Sequence, residues 1–131
     1  MSFEIYMEAF QNHESFDYER EIVEDIFAPL ISERDRDNWK LSAGGVVRID
    51  EAPKVSGFSV GRPPGADAFW DGLLAIMQRT PSVLFWPDEG RTACVADAAV
   101  IPRLPPDMLE AVGEPFIVSN GREIIRAIRK R

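Results

Sequence analysis

Two residues stand out as candidates for proton transfer or nucleophilic attack: His13 and Cys94, the chain's one histidine and one cysteine among 131 residues. A histidine titrates near neutral pH, so general acid–base chemistry would fall first to His13. It lies in Gln11-Asn12-His13-Glu14-Ser15, a polar stretch that reads as a solvated connection. Cys94 sits in Thr92-Ala93-Cys94-Val95-Ala96, where a small buried thiol is expected instead of an activated thiolate. One cysteine and one histidine are too few for a zinc site of that ligand type and leave no partner for an intramolecular disulfide. No metal or cofactor is therefore expected. Glu4 and Glu8 flank Tyr6 on one side of an alternating segment. On a strand, their separation is about 13 Å, beyond the roughly 10 Å that spans a glycosidase carboxylate pair. They read as a solvated rim.

Other motifs lack a necessary part. Gly61-Arg62-Pro63-Pro64-Gly65 joins an expected strand to an expected helix, but it lacks the Gly-Lys-Ser/Thr ending of a phosphate loop. Its two prolines also remove amide donors. Trp39, Trp70 and Trp86 fall within apolar segments and read as core with an indole edge near the surface. Pro102-Arg103-Leu104-Pro105-Pro106 has the form of a polyproline ligand but more simply leads into a helix. A cleft near the 86–91 loop, lined by Trp86, Asp88, Glu89 and Arg91, is the arrangement through which a small-ligand or hydrolytic enzyme domain would work.

Charge is distributed with more purpose. The net charge of −7 argues against a nucleic-acid partner, because phosphate affinity needs clustered lysine and arginine. Through Asn38, eleven acids oppose three arginines, for −8; residues 122–131 carry five basic residues against Glu123, for +4. The acids Glu14, Asp17, Glu19, Glu21, Glu24 and Asp25 concentrate around the first expected helix, a surface suited to a protein partner with a basic face.

The elements that must position these residues follow from periodicity. Residues 3–9 alternate as a strand with one buried face. Asp17 is the expected N-cap of a helix carrying Tyr18, Ile22, Ile26 and Phe27, which Pro29 should finish. Residues 32–38 read as a charged loop. Segments 39–43 and 46–50 flank Gly44-Gly45 as a hairpin, and 55–60 adds a third strand. Residues 66–78 form a helix with a wide apolar stripe, 83–86 and 93–96 a second hairpin, 107–112 a short helix closed by Gly113, and 116–118 a short strand. Asn120 and Glu123 make a capping box for the last helix. The expected architecture is a single α+β domain over residues 1–131, with a mainly antiparallel sheet of about six strands packed by three to four helices. No apolar run reaches the roughly 20 residues of a membrane helix. The opening residues lack a signal peptide's basic-then-apolar plan, so the cytoplasm is the expected compartment.

Phe3-Glu4-Ile5-Tyr6 with Phe10, together with Leu104-Pro105 and the closing Val118-Ser119-Asn120-Gly121-Arg122-Glu123-Ile124, resembles small stand-alone bacterial proteins. Some of these resemble the immunity proteins of polymorphic toxin systems. The resemblance covers the two ends of the chain and brings no catalytic residue with it. It implies a non-enzymatic, cytoplasmic protein-binding domain whose acidic surface occludes a basic toxin. The alternatives are the enzyme reading at the 86–91 loop and a structural homodimer built through an exposed strand.

Overall fold

A computed structural model describes residues 3–129. The alternation near the amino terminus becomes β1 (Glu4–Gln11), in which Ile5, Met7 and Ala9 are fully buried while Glu4, Tyr6 and Glu8 are half-buried on the other face. β1 lies inside the sheet. A two-residue strand, β2 (Glu14–Ser15), folds back on its end through Asn12 and His13, both at positive φ.

The first departure from sequence expectation follows at once. Tyr18–Glu19 forms a short strand, β3, so α1 (Arg20–Phe27) begins later than Asp17 would place it, and Glu19 occupies the cap position without a side-chain cap bond. Pro29 does end the helix, in a 3-10 turn over Ala28–Leu30. The segment read as a charged loop is instead β4 (Ile31–Asp35), an edge strand paired with β5 (Asn38–Leu41). Its charged side chains obscured the period-two pattern, because an edge strand buries little and charge there blocks unwanted pairing.

β5 turns through Gly44 and Gly45, both at positive φ, into β6 (Val46–Arg48). β7 (Lys54–Val55) pairs with β3, and β8 (Gly57–Gly61) runs between β6 and β1. After α2 (Asp67–Arg79), β9 (Ser82–Phe85) and β10 (Ala93–Val95) form the second hairpin. A 3-10 segment (Ala98–Arg103), unforeseen because Pro102 lies within it, leads to α3 (Pro106–Val112). β11 (Phe116–Ile117) pairs parallel to β10, and α4 (Gly121–Arg129) ends the described chain.

The result is a single domain of mixed helix and sheet, with a large and mainly antiparallel sheet. The main sheet runs β11-β10-β9-β1-β8-β6-β5-β4 with β2 beside β1, nine strands, and β3–β7 form a separate ladder. The expectation of about six strands was too low. Two of the missed pieces, β2 and β3, are two-residue strands, too short to show a period, and the single strand read over 55–60 is divided into β7 and β8.

The helices α1, α2 and α4 cover one face of the sheet, burying Val23 and Phe27, then Phe69, Leu73 and Ile76, then Ile124 and Ala127 against Ile5, Met7, Phe58, Val60 and Leu84. Phe27 stacks on Phe69 with ring centroids 5.6 Å apart and meets Phe58 edge-on at 6.0 Å. Gly72 favours the close crossing of α1 and α2, since a Cβ there would lie 3.1 Å from the Phe27 ring, a tight contact. On the opposite face, the 3-10 segment and α3 cover only the β9–β10 end, through Val100, Leu104 and Val112 against Val83, Ala93 and Val95.

The cap on α4 forms as its sequence requires. Asn120 Oδ1 accepts the Glu123 N–H at 2.9 Å, and Glu123 Oε1 accepts from the Ser119 hydroxyl at 2.7 Å and the Ser119 N–H at 2.6 Å. These bonds, the Ser119 hydroxyl foremost, hold the Glu123 carboxyl below its ordinary pKa. The associated stability is complete above the unfolded pKa and is lost as pH falls through the folded one. Asn120→Ala is expected to cost about 1 kcal/mol, measured as a lower urea midpoint at unchanged slope.

Candidate functional site

Of the chain's acids, those on α1 come to border a groove of about 580 Å³. The helix buries Val23 and Phe27 in the core, and this turns Glu21 and Asp25 outward. The opposite wall is the β6–β7 connection, brought alongside by the Arg20 N–H donating to the Pro53 carbonyl at 2.9 Å. It adds Glu51, so five carboxylates (Glu19, Glu21, Glu24, Asp25 and Glu51) border the groove with two guanidinium groups, Arg20 and Arg34.

Both arginines are engaged by the groove's own structure. Arg20 Nη1 donates to Glu24 Oε2 at 3.1 Å and its Nε to the Asp50 carbonyl at 2.8 Å, while Arg34 Nη1 donates to Glu24 Oε1 at 2.9 Å. Each guanidinium also lies over the Trp39 ring, at 5.0 and 5.2 Å from its centre. The buried indole therefore fixes two cations, and those two cations share Glu24. Glu19 lies 3.8 Å from Lys54 in an exposed pair, worth little in water. Glu21, Asp25 and Glu51 make no ion pair among the described residues. The acidic character of the groove rests on these three.

Four of the six carboxylates expected to form a partner surface thus meet at the groove, while Glu14 lies on β2 and Asp17 in the connection to β3, neither of them bordering it. Sequence reasoning missed Glu51. Its signal, the acidic pair Asp50-Glu51 before Ala52-Pro53, acquires meaning only once that turn is known to fold against α1.

The residues assigned to a cleft at the 86–91 loop are separated by burial. Trp86 is 3% exposed, whereas Asp88, Glu89 and Arg91 are exposed. Asp88 accepts the Glu89 N–H, and Arg91 donates to the carbonyls of Glu114 and Pro115 while lying 3.9 Å over the Phe116 ring. Arg91 pins the loop before β11. His13 is exposed, and its Nε2 lies 3.0 Å from the Pro102 carbonyl. Cys94 is fully buried beneath the helices, and burial pushes its thiol pKa well up. No group of three or more histidine, cysteine or acidic side chains suited to a metal ion occurs among the described residues.

One carboxylate has a distinctive environment. Glu8 sits between Gly57 of β8 and Val83 of β9; a Cβ at Gly57 would first strike the Met7 carbonyl oxygen of β1 and then the Glu8 carboxyl at 2.7 Å. Burial raises the Glu8 pKa, and a 3.4 Å hydrogen bond from the Ser56 hydroxyl opposes that rise only in part. Tyr18 is affected in turn: burial first, and the Glu8 charge second, raise its pKa well above the ordinary value. Its hydroxyl is buried without a hydrogen-bond partner.

Two predictions follow from this pair. A carboxyl with a raised folded pKa binds its proton more tightly when folded, so it contributes a stability that falls as pH rises through the window between its unfolded and folded pKa. Glu8→Gln is therefore expected to raise the thermal midpoint at pH 7, with the advantage vanishing below the unfolded value of about 4.3. Tyr18→Phe removes a hydroxyl that lost its water without gaining a partner, so it should leave stability unchanged or raise it by up to about 1 kcal/mol. A urea midpoint lowered by Tyr18→Phe would show that the hydroxyl is bonded after all. Comparison of the sequence with models of known protein families gave no match, and comparisons with curated proteins and with solved structures likewise gave none.

Proposed function

We propose that the chain is a non-enzymatic protein-binding domain whose α1 groove docks a partner with a basic surface. The carrying observation is that Glu21, Asp25 and Glu51 border one groove with no ion-pair partner among the described residues, beside a Glu24 already held by two arginines. The arginines keep the groove rigid around Trp39. The outer carboxylates remain available to lysines or arginines arriving from outside. Rigidity favours binding because little side-chain freedom is lost on docking. In the immunity-type form of this proposal, the domain covers the basic active face of a toxin such as a nuclease, whose own substrate is an anion.

The test is a pull-down from the native host followed by kinetics with the captured partner. Reversing three charges together, Glu21→Lys, Asp25→Lys and Glu51→Lys, should slow association about tenfold or more at low salt. The same loss should shrink as ionic strength rises. Unchanged affinity and unchanged salt dependence in a variant with wild-type circular dichroism would refute the electrostatic docking.

A further inference from the structure

The main sheet ends at β4, which among the described residues pairs only with β5. Ser32, Glu33, Arg34 and Asp35 are all exposed, and their backbone makes no hydrogen bond outside that ladder. An open edge invites another strand, and the side chains along it decide which strand can come. Glu33 and Asp35 lie across from Lys40 and Asn38 of β5, on the face away from the helices. Arg34 lies across from Trp39, over whose ring its guanidinium sits at 5.2 Å. Charge therefore alternates in step with the pleat, both acids on one face and the arginine on the other. The register shifts between Ile31 and Glu33, so Glu33–Asp35 is the regular part of the edge.

A closed pair of identical subunits joined edge to edge sets its two copies of β4 antiparallel, about a twofold axis normal to the sheet. That axis keeps each face on its own side, so the two acids meet only residues of the same face in the second copy. Centred on Arg34, the pairing sets Glu33 against Asp35 twice and Arg34 against itself. Centred on Glu33 or on Asp35, it sets that acid against its own copy. Like charges directly opposite one another destabilise an antiparallel pair, and none of the three registers offers an opposite-charge pair in exchange.

We propose that β4 carries a pairing code: its edge excludes a second copy of this chain and accepts an antiparallel partner strand with basic residues opposite Glu33 and Asp35. Main-chain hydrogen bonds to the edge supply affinity, and the two charge pairs select the strand. Both acids are open to such a partner. The Asp35 side chain makes no ion pair or hydrogen bond among the described residues, and the Glu33–Lys40 pair is exposed on both sides, so it holds Glu33 weakly. Arg34 asks for less, because Glu24 Oε1 already accepts from it at 2.9 Å. The code does not rest on docking at the α1 groove: it is tested with Glu21, Asp25 and Glu51 unchanged, so either reading can fail alone.

The experiment inverts the code one charge at a time in the full chain and follows self-association by sedimentation velocity at low salt, with circular dichroism to confirm the fold of each variant. In the register centred on Arg34, Asp35→Lys sets a lysine against Glu33 twice, and Glu33→Lys sets one against Asp35 twice. Each single variant should self-associate about tenfold more tightly than the wild type. The gain should shrink as ionic strength rises. The double variant Glu33→Lys, Asp35→Lys restores like charges and should lose the gain, although it is the least acidic of the four chains. Mixed with the wild type it should pair, shifting the amide resonances of wild-type residues 32–35. Single variants no more associated than the wild type overturn the proposal, as does a mixture that fails to pair. A double variant that associates as tightly as the singles also overturns it, since lowered net charge alone would then be the cause.

Discussion

The period-two alternation of β1 is the constraint on which the other elements depend. With β8 on one side and β9 on the other, its backbone is paired along both edges and its side chains have only two directions to take. Burying Ile5, Met7 and Ala9 under the helices fixes which face is the core, and a slip of one residue would place Glu4, Tyr6 and Glu8 there instead. The same constraint sends Glu8 onto the sheet's second face, between Gly57 and Val83. Its partial desolvation is therefore a consequence of register. Tyr6 answers the same demand differently, stacking on Phe85 at 5.4 Å, and Glu4 pairs with Arg48 at 3.2 Å. Of the three half-buried side chains, Glu8 alone is held by a hydroxyl, that of Ser56, in place of a stacked ring or an ion pair.

From that face the helices follow. α2 presents its apolar stripe to the strands, and Gly72 lets α1 come close enough for Phe27 to reach both Phe69 and Phe58. Once Phe27 and Val23 point inward, the 3.6-residue period turns Glu21 and Asp25 outward. Trp39 then underlies the groove's two arginines from the sheet side. Its ring is buried, yet its π face supports Arg20 and Arg34, so a hydrophobic side chain organises an electrostatic site.

Legibility in the sequence tracked the length of the pattern and the degree of burial. β1, α2, the 39–48 hairpin and the α4 cap were all readable, because each carries a full period or a capping pair within a few residues. β3 and β11 were not both accessible: Phe116–Ile117 showed as an apolar run, whereas Tyr18–Glu19 was absorbed into the helix because Tyr18 fits a helical spacing and its strand partner, Val55, is remote in sequence. β4 was hidden by its charges. At the candidate groove, the acids of α1 were visible as a local concentration, but Glu51, Arg34 and the role of Trp39 depend on contacts between distant segments. Such contacts leave no local signal. The 86–91 residues show the converse: neighbours in sequence, they are divided by burial, with Trp86 turned into the core and Arg91 engaged with the 114–115 carbonyls.

The charge asymmetry of the sequence becomes a spatial one for a topological reason. The acidic amino-terminal third contributes β1 to the middle of the sheet and places five of its eleven carboxylates afterwards, on α1 and on β4 at one edge. The later elements β9, β10 and β11 build toward the other edge, and the ends of α2 and the 3-10 turn that carry Arg79 and Arg103 meet there. Of the five basic residues at the carboxyl end, Arg122, Arg126 and Arg129 lie on α4, while Lys130 and Arg131 fall outside the described residues. Arg122 is 3.8 Å from Asp67 on α2, an exposed pair that shifts little energy. Because salt screens exposed charges within about one nanometre, the two edges are electrostatically separate surfaces, and the net charge of −7 describes neither of them.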